Sequence, residues 1–580
     1  MRLESCSAPV LAALVLGACG EAQNDVAVRL TALADAYVQN YFETFPNDAT
    51  ALGVPDAPHH RMNDNSLATL SSWHEKEEGW LAELGDVDPP LLEGRPEAVT
   101  YGFLLNLLES SIAFRECRME LWNVSPTWTG WPSQLAQLAN LQPVETEELK
   151  QSALSRYSEV PRYLDTEIEN LREGIRLGYT APRNNVGAVL EQINALLDSP
   201  ISESPFVQMA TDEMPEFRSE LETLVASEIR PAITRYRDFI GDEYLASARE
   251  AIGVEANPGG SECYLAAIRY YSTVDISPQE VHETGLREME TILNEMREIG
   301  ERSFGTTEVF ELLESLRSDP DYLFRSRREM IAYAEGAVER ARMGVPEWFG
   351  LVPEASVVVE PVPQFQEKSA PGGFYNPPAE DGSRPGIYMI NTYQADRESK
   401  AGLEATAFHE TYPGHHLQGS IALEREGMHP ISRYFYLSGF GEGGALYSER
   451  LGEEMGLYSS DVDRMGLLSN EALRAARLVV DAGMHALGWT RQQALDYLVT
   501  HTAESRARAA AEIDRYIAVP GQATSYMLGN LEIRLLRELA ERELGADFDV
   551  RSFHDRILED GSVPLTMLRE KIERWVSRTR

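Results

Sequence analysis

Apolar residues recur at intervals of three and four positions from about residue 25 to residue 345. This spacing places them on one side of a helix. Clear examples are the segments 100–118, 158–177 and 185–197. Ser277 and Glu280 form a capping box around a proline, which predicts a helix reaching roughly to Gly300. The pattern therefore predicts a mainly α-helical fold.

The periodicity changes between Ser356 and Tyr393. Two short runs rich in β-branched and aromatic residues, 357–362 and 387–391, are separated by turn residues. Such runs are typical of strands. We expect a small antiparallel sheet just ahead of the histidine-rich segment described below.

The chain has 580 residues, which exceeds the size at which a single hydrophobic core stops growing. More than one lobe is therefore expected. A Gly- and Pro-containing stretch at 257–262 is a suitable boundary. We predict an N-terminal helical lobe at 19–255 and a lobe carrying the chemistry at 256–580, both within one continuous domain.

The first residues form a targeting segment. Arg2 precedes an apolar run, 8–17, that is too short to span a bilayer. The run ends at Leu16-Gly-Ala-Cys19, which resembles a bacterial lipoprotein cleavage site. Residues 1–18 are then a signal peptide and Cys19 carries the lipid; an ordinary secretory peptide is the alternative. We expect an exported lipoprotein of the cell envelope, on the periplasmic side or at the cell surface, held to the membrane by this anchor only.

The charge balance is strongly acidic, with 52 Lys and Arg against 93 Asp and Glu and a net charge of −41. Such a surface repels nucleic acid, so no nucleic-acid partner is expected. Beyond the leader, only Cys117 and Cys263 remain as cysteines. In an exported chain they can form a disulfide, but they are 146 positions apart, so two free thiols are equally open.

Histidine is scarce, with 11 residues, yet His409, His415 and His416 fall within eight positions. Glu410 directly follows the first. Adjacent His-Glu on a helix, with a second histidine one turn later, supplies zinc peptidases with two metal ligands and a general base. The position where that second histidine would stand is occupied by Pro413.

A straight helix cannot complete this site. It would place His416 about 10.5 Å along the axis from His409, beyond the reach of one ion with bonds of about 2.0 Å to nitrogen. Proline breaks the helical hydrogen-bond ladder and glycine accepts unusual backbone angles. A two-residue bulge at Pro413-Gly414 would bring His415 into the required position, so we predict His409 and His415 as ligands.

A third ligand is predicted in the run from Phe440 to Glu449. Glu442 and Glu449 are seven positions apart and share one face of the expected helix. We assign Glu442 to a zinc ion, with a fourth position left for water, and Glu410 to the role of general base. Glu449 or Asp481 is a candidate to orient a ligating histidine through its second ring nitrogen.

These paired motifs resemble a widespread bacterial family that is known only as a domain of unknown function and is related to the gluzincin zinc metallopeptidases. The resemblance extends from about residue 25 to the C-terminus. It implies a large two-lobed helical fold with a deep cleft, a small antiparallel sheet beside the catalytic helix, and a Zn²⁺ cofactor. It also implies that an edge strand holds extended substrate.

Five further residues are candidates, and all but Tyr375 lie in segments matching that family. Asp481 and His485 are one helical turn apart, so the carboxylate can orient the imidazole; His485 or Tyr526 would then stabilise the oxyanion. An ion pair of Asp481 with Arg477 and a core role for Tyr526 are the alternatives. Arg384 and Tyr375 are candidates for substrate binding, with a surface salt bridge as the other reading of Arg384.

The sequence thus favours a zinc-dependent metallopeptidase that cleaves short peptides. Two alternatives remain open at this stage. One is a zinc-dependent amidase or esterase acting on non-peptide envelope material, since water attack on any acyl group needs the same residues. The other is an anchored, non-catalytic binding lipoprotein.

Overall fold

The computed structural model describes residues 9–364, 367, 371–379, 382 and 384–580, with side chains from residue 24 onward. Helices dominate, which confirms the prediction from periodicity. Sixteen helices precede the sheet: α1 Pro9–Thr44, α2 Pro46–Ala51, α3 Leu67–Leu84, α4 Glu97–Phe114, α5 Trp131–Leu141, α6 Glu147–Ser158, α7 Val160–Leu177, α8 Arg183–Asp198, α9 Pro205–Gln208, α10 Pro215–Leu224, α11 Arg230–Asp238, α12 Leu245–Ser247, α13 Gly260–Ser272, α14 Pro278–Ile299, α15 Val309–Ser318 and α16 Arg327–Trp348.

Ten more helices follow the sheet among the described residues: α17 Leu403–Glu410, α18 His415–Glu424, α19 Ile431–Tyr434, α20 Ser438–Glu454, α21 Asp461–Ala486, α22 Arg491–His501, α23 Arg506–Ala518, α24 Ser525–Leu544, α25 Val550–Leu558 and α26 Leu565–Thr579. The predicted capping box is present at the start of α14. There the Ser277 hydroxyl accepts from the Glu280 amide, and the Glu280 carboxylate accepts from the Ser277 amide.

Within the described residues the sheet has three strands, β1 Val357–Pro361, β2 Gly373–Asn376 and β3 Gly386–Ile390, in the order β1-β3-β2. β2 runs antiparallel to β3, but β1 runs parallel to it. The predicted antiparallel sheet is therefore a mixed one. Strands β2 and β3 form an antiparallel pair. Of these two strands, β3 is the one that pairs with β1.

Two large clusters of buried apolar side chains form the core. The first includes Trp122 and Leu478, and the second includes Leu30 and Phe408. Both clusters draw on residues from either side of residue 256, and the predicted lobe boundary stays a prediction. A disulfide joins Cys117 to Cys263 and so ties the end of the α4 region to α13.

Helix α1 contains Cys19, whose side chain lies outside the described residues. In the part of the chain that the structure describes, every helix is too short or too polar to cross a membrane.

Candidate metal centre

The histidine-rich segment is split between two helices. Helix α17 ends at Glu410 and α18 begins at His415, so four residues, 411–414, interrupt the helix where a two-residue bulge was expected. The Gly414 amide donates to the Phe408 carbonyl at 3.0 Å, which folds the chain back onto α17. A Cβ at Gly414 would clash with the carbonyl oxygens of Phe408 and His409. Only glycine allows this close approach.

This break brings His409 and His415 together with Glu442 of α20. The Glu442 Oε2 lies 3.5 Å from the Nε2 of His409 and 3.6 Å from the Nε2 of His415. The two imidazole rings are almost perpendicular, with centroids 4.8 Å apart. Tetrahedral ligand atoms at zinc bond lengths of about 2.0–2.2 Å lie about 3.4 Å apart. The three side chains therefore have the spacing of a single metal site.

The carboxylate of Glu449 orients His409. Its Oε1 lies 2.8 Å from the Nδ1 of His409, and the Glu449 side chain is completely buried. An ionised carboxylate only accepts hydrogen bonds, so Nδ1 carries the proton and donates. The Nε2 is then directed at the cluster, where a metal ion would replace its proton, as in a metal-ligating histidine whose other nitrogen is held by a carboxylate. The structure thus gives Glu449 the orienting position that the sequence predicted for it.

His416 is directed away from the cluster. Its Nε2 lies 3.0 Å from the Ala355 carbonyl, and its Nδ1 lies 2.9 Å from the Tyr375 hydroxyl. Burial lowers the pKa of His416 to about 4, so the ring is neutral. Because the Ala355 carbonyl only accepts, the Nε2 carries the proton, and Nδ1 is the acceptor for the hydroxyls of Tyr375 and Ser420, the latter 3.2 Å away. His416 therefore holds the segment before β1 in place, and the Tyr375 hydroxyl is engaged in a hydrogen bond with the His416 ring.

The electrostatics of the cluster favour a cation. Burial alone would raise the pKa of Glu442, but hydrogen bonds from His409 and His415 hold it well below its usual range. Burial would lower the pKa of His409, yet the Glu442 and Glu449 carboxylates raise it to about 10. Three carboxylates, counting Glu410, surround two imidazoles. Their field and the nitrogen–oxygen donor set both fit a divalent ion such as Zn²⁺.

Glu410 ends α17 beside these donors and is 9% exposed. No described residue donates a hydrogen bond to its carboxylate. Its charge is felt by the buried Tyr388 of β3, whose pKa is raised by burial and then by Glu410. An unengaged carboxylate adjacent to a metal ligand is free to exchange a proton with a bound molecule.

A phenol that the sequence analysis missed lies against the ligand helix. Tyr436 precedes α20, and its side chain is 62% exposed. A Cβ at Gly441 would overlap the Tyr436 hydroxyl, so the glycine before Glu442 makes room for it. Desolvation of its hydroxyl end against α20, followed by the charge of Glu442, raises the pKa of Tyr436 although most of the residue is exposed. No spacing pattern in the sequence singles out Tyr436. The signal that could have found it is its position just ahead of α20, which carries Glu442.

The segment carrying Tyr436 is held by the first helix. The Phe435 ring packs against Tyr41 and Tyr37 of α1, with centroids 4.8 and 5.6 Å away. Tyr434 packs edge-on against Phe42 at 5.1 Å. Aromatic contacts of this kind fix ring positions in the core. The N-terminal helix therefore contributes to the position of a residue beside the metal cluster.

Tyr526, one of the predicted residues, also lies beside Glu442. Burial and then the Glu442 charge raise its pKa, and the guanidinium of Arg477 sits 4.6 Å from its ring centroid. The placement depends on close contact between α20 and α24. A Cβ at Gly443 would overlap the backbone of Gly529.

His485 and Asp481 are not part of this cluster. The Nδ1 of His485 accepts from the Val254 amide at 3.0 Å, and its Nε2 lies 3.0 Å from the Tyr516 carbonyl. Asp481 accepts from the Tyr264 hydroxyl and the Gly521 amide, not from His485. The predicted oxyanion role of His485 and the predicted Asp481–His485 pair are therefore corrected.

Arg477, the alternative partner for Asp481, also lies elsewhere, since its guanidinium pairs with Glu512 at 3.2 Å. Arg384 is exposed, and its guanidinium donates to the Pro377 and Pro385 carbonyls of its own loop. Its predicted role in substrate binding stays a prediction.

The fold and the site together define a mainly helical protein with one candidate metal centre in its described part. The bacterial family DUF885, described as bacterial protein of unknown function, matches residues 46–572. The chain belongs to this family. No curated protein matches it.

Two solved structures share the fold. One is the "putative lipoprotein" from Colwellia psychrerythraea, with a TM-score of 0.86, 27% identity, and coverage of 95% of this chain and 99% of that chain. The other is a "putative lipoprotein of unknown function" from Shewanella oneidensis, with a TM-score of 0.74, 18% identity, and coverage of 93% and 98%. These neighbours are consistent with an envelope-associated lipoprotein.

Proposed function

We propose that this protein is a zinc-dependent metallopeptidase that cleaves short peptides. The observation that carries the proposal is the convergence of His409, His415 and Glu442 within 4.8 Å of one another, with the unengaged carboxylate of Glu410 adjacent. Two neutral imidazoles and one carboxylate are the ligand set of hydrolytic zinc sites that keep a position open for substrate.

Each side chain has a distinct role in this proposal. His409, His415 and Glu442 would hold the ion, which supplies Lewis-acid polarisation of the carbonyl group under attack. Glu410 accepts the proton of the attacking water and delivers it to the leaving amine. Glu449 keeps the Nε2 lone pair of His409 directed at the site.

Two phenols are suitable donors to the developing oxyanion. Tyr436 and Tyr526 both lie close enough to Glu442 for its charge to raise their pKa values, so both remain protonated at neutral pH. A protonated phenol can donate to an oxyanion without itself reacting. Removal of one such donor typically costs about 10²–10³ in rate. Tyr436 takes the place in the mechanism that His485 was expected to fill.

Short, extended peptides fit the surroundings of the site. Strand β2 forms one edge of the sheet and contacts α17, which carries His409. An extended peptide can add to such an edge through main-chain hydrogen bonds, whereas a folded protein cannot without local unfolding. The net charge of −41 would attract cationic peptides.

A set of peptides of graded length, with casein and one folded protein alongside, tests the substrate class. The zinc-loaded protein should cleave the short peptides, and a chelator should abolish the cleavage. The matched control is the Glu410→Gln protein prepared identically. Rapid digestion of the folded protein, or no peptide cleavage by a zinc-loaded sample, would contradict the proposal.

We also propose that Cys19 carries the lipid, so that the protein faces the periplasm or the cell exterior. The wild-type protein should partition into detergent, and its N-terminal amine should be blocked. Cys19→Ser should be recovered unprocessed, or soluble after cleavage elsewhere. An identical membrane fraction for both proteins would contradict this assignment.

A further inference from the structure

A groove of about 430 Å³ lies between the start of α4, the connection from α18 to α19, and helices α25 and α26. Its floor is apolar, since Phe103 and Ile431 are completely buried there. Its lining contains six Lys or Arg against three Asp or Glu, in a protein whose acidic residues outnumber basic ones by 93 to 52. The basic residues are Arg95, Arg425, Arg556, Lys571, Arg574 and Arg578. We call this the basic groove.

Four of the six basic side chains of the groove remain available to a ligand, whereas the other two, Arg556 and Lys571, pair with Glu559 and Asp560 of the groove itself. Arg95, Arg574 and Arg578 pair with Glu97, Glu570 and Glu93, none of which lines the groove. Their side chains are 31, 54 and 70% exposed. Exposed pairs of this kind are weak and are screened by salt. Arg425 is exposed, and its guanidinium has no partner among the described residues.

The basic groove lies beside Asn24, the first residue whose side chain the structure describes. The Arg95 guanidinium donates to the side chain of Asn24 at 3.1 Å. Cys19, the expected lipid attachment point, is five positions earlier in the same helix, α1. Five helical residues span about 7.5 Å. A lipid on Cys19 therefore holds this face of the protein near the bilayer surface.

We propose that the basic groove docks the protein onto the anionic phosphate headgroups of the membrane in which it is anchored. A lipid anchor on Cys19 holds the chain at the membrane without fixing which face of the protein turns toward it, and a basic patch adds an attraction to anionic headgroups that does. Each Lys or Arg near an anionic surface strengthens binding about fivefold. Docking would fix the orientation of the protein on the membrane while its remaining acidic surface is repelled from it.

Binding to lipid vesicles tests the proposal with the whole chain carrying Cys19→Ser, so that no acyl group contributes. Vesicles containing phosphatidylglycerol should bind the protein at low salt, vesicles of phosphatidylcholine alone should bind it at least tenfold more weakly, and added salt should abolish the difference. Any affinity of the leading apolar segment is common to both lipids. Because the protein is acidic as a whole, attraction to an anionic vesicle requires a local basic surface.

Variants assign the attraction to the groove. The pair Arg574→Glu and Arg578→Glu should weaken binding to anionic vesicles at least tenfold, and Arg425→Gln, which removes no internal contact, should weaken it about fivefold. The matched control is Arg172→Glu with Arg235→Glu, two exposed and ion-paired arginines of α7 and α11. Circular dichroism checks that each variant is folded.

Three results would overturn the proposal. The first is equal binding to both kinds of vesicle. The second is a groove variant that binds like the matched control. The third is displacement of the protein by inorganic phosphate at constant ionic strength, which would identify a soluble anion as the occupant. None of these depends on peptidase activity.

Discussion

His409 and His485 each lie on a helix with a carboxylate within one or two turns, but their surroundings are opposite. The Nε2 of His409 points at His415 and Glu442, while Glu449 holds its other nitrogen. Both nitrogens of His485 are taken by backbone groups of distant segments, and the ring is completely buried. The Nε2 of His409 faces other potential metal ligands, whereas both nitrogens of His485 are occupied by the backbone.

The comparison shows what distinguishes a candidate metal ligand from a structural histidine. Buried polar groups are satisfied by hydrogen bonds in almost every folded protein, so a histidine with two backbone partners has a complete role in the core. Glu442, with 18% of its side chain exposed, and His415, also 18% exposed, do not have such partners. Substitutions in the cluster of His409, His415 and Glu442 should therefore change metal affinity and catalytic rate, whereas substitutions around His485 should change stability.

The largest difference should appear between adjacent histidines. His415→Ala removes one of three ligands, so we expect loss of stoichiometric zinc and of all peptidase activity. His416→Ala, the matched control, removes a structural ring with neighbours Ala355 and Tyr375 and should retain most of the metal. Metal analysis of the purified proteins is the measurement. If His416→Ala loses the ion and His415→Ala keeps it, the ligand assignment is wrong.

Glu410 should separate catalysis from binding. Glu410→Gln keeps the shape of the side chain but cannot accept a proton, so the rate should fall by about 10²–10⁴ while zinc content stays unchanged. Glu398→Gln, at a carboxylate outside the cluster, is the control. Steady-state rates and metal content are measured on the same samples. Normal peptide hydrolysis by Glu410→Gln would refute the proposed mechanism.

The two tyrosines should sharpen the contrast with His485. Tyr436→Phe and Tyr526→Phe each remove a donor beside Glu442, and at least one should lower kcat by about 10²-fold with little change in KM. His485→Gln should act mainly on stability, because both ring nitrogens bond to backbone groups and the ring packs against Tyr264 in the core. The kcat of each of the three variants is compared with its thermal melting curve. A kcat loss in His485→Gln at unchanged stability would restore His485 to the mechanism.

Replacing Glu449 should lower zinc affinity less than replacing a metal ligand, but more than replacing a surface carboxylate. In Glu449→Gln the hydrogen bond to His409 loses its charge, so zinc affinity should fall by about 10–100-fold. Competition with a chelator of known affinity measures this. Glu453→Gln, one turn further along α20, is the control, and equal affinities for the two variants would remove Glu449 from the site.

Asp481 should make the stability of the folded protein depend on pH. Burial raises its pKa to about 7, although hydrogen bonds from Tyr264 and Gly521 partly offset this. Its unfolded pKa is about 3.9, so between these values the folded protein binds more protons than the unfolded chain. Its contribution to stability is therefore fully present below pH 4 and is lost as pH rises to 7.

Asp481→Asn should reduce the difference in unfolding free energy between pH 5 and pH 8 by about 2 kcal/mol. Urea unfolding at the two pH values is the measurement, and Asp165→Asn, an exposed carboxylate, is the control. An unchanged pH dependence would show that Asp481 is not the titrating group.

Local patterns in the sequence determined several features. The three- and four-residue periodicity predicted the helices, and the Ser277 capping box fixed the start of α14, because both depend on neighbours within one or two turns. The clash of helical spacing with metal-bond length predicted that the helix must break near Pro413. The seven-residue spacing likewise placed Glu442 and Glu449 on one side of α20.

Tertiary structure alone decided the contacts between distant segments. Three contacts depend on how the helices and strands pack together. They are the Cys117–Cys263 disulfide, the pairing of β1 with β3, and the hydrogen bonds from backbone groups to both nitrogens of His485. The Tyr436 position depends on α1, almost 400 positions earlier, and His416 is held by Ala355, 61 positions away. No local rule encodes such pairings, because the free energy that selects them comes from burying whole faces of helices and strands against one another.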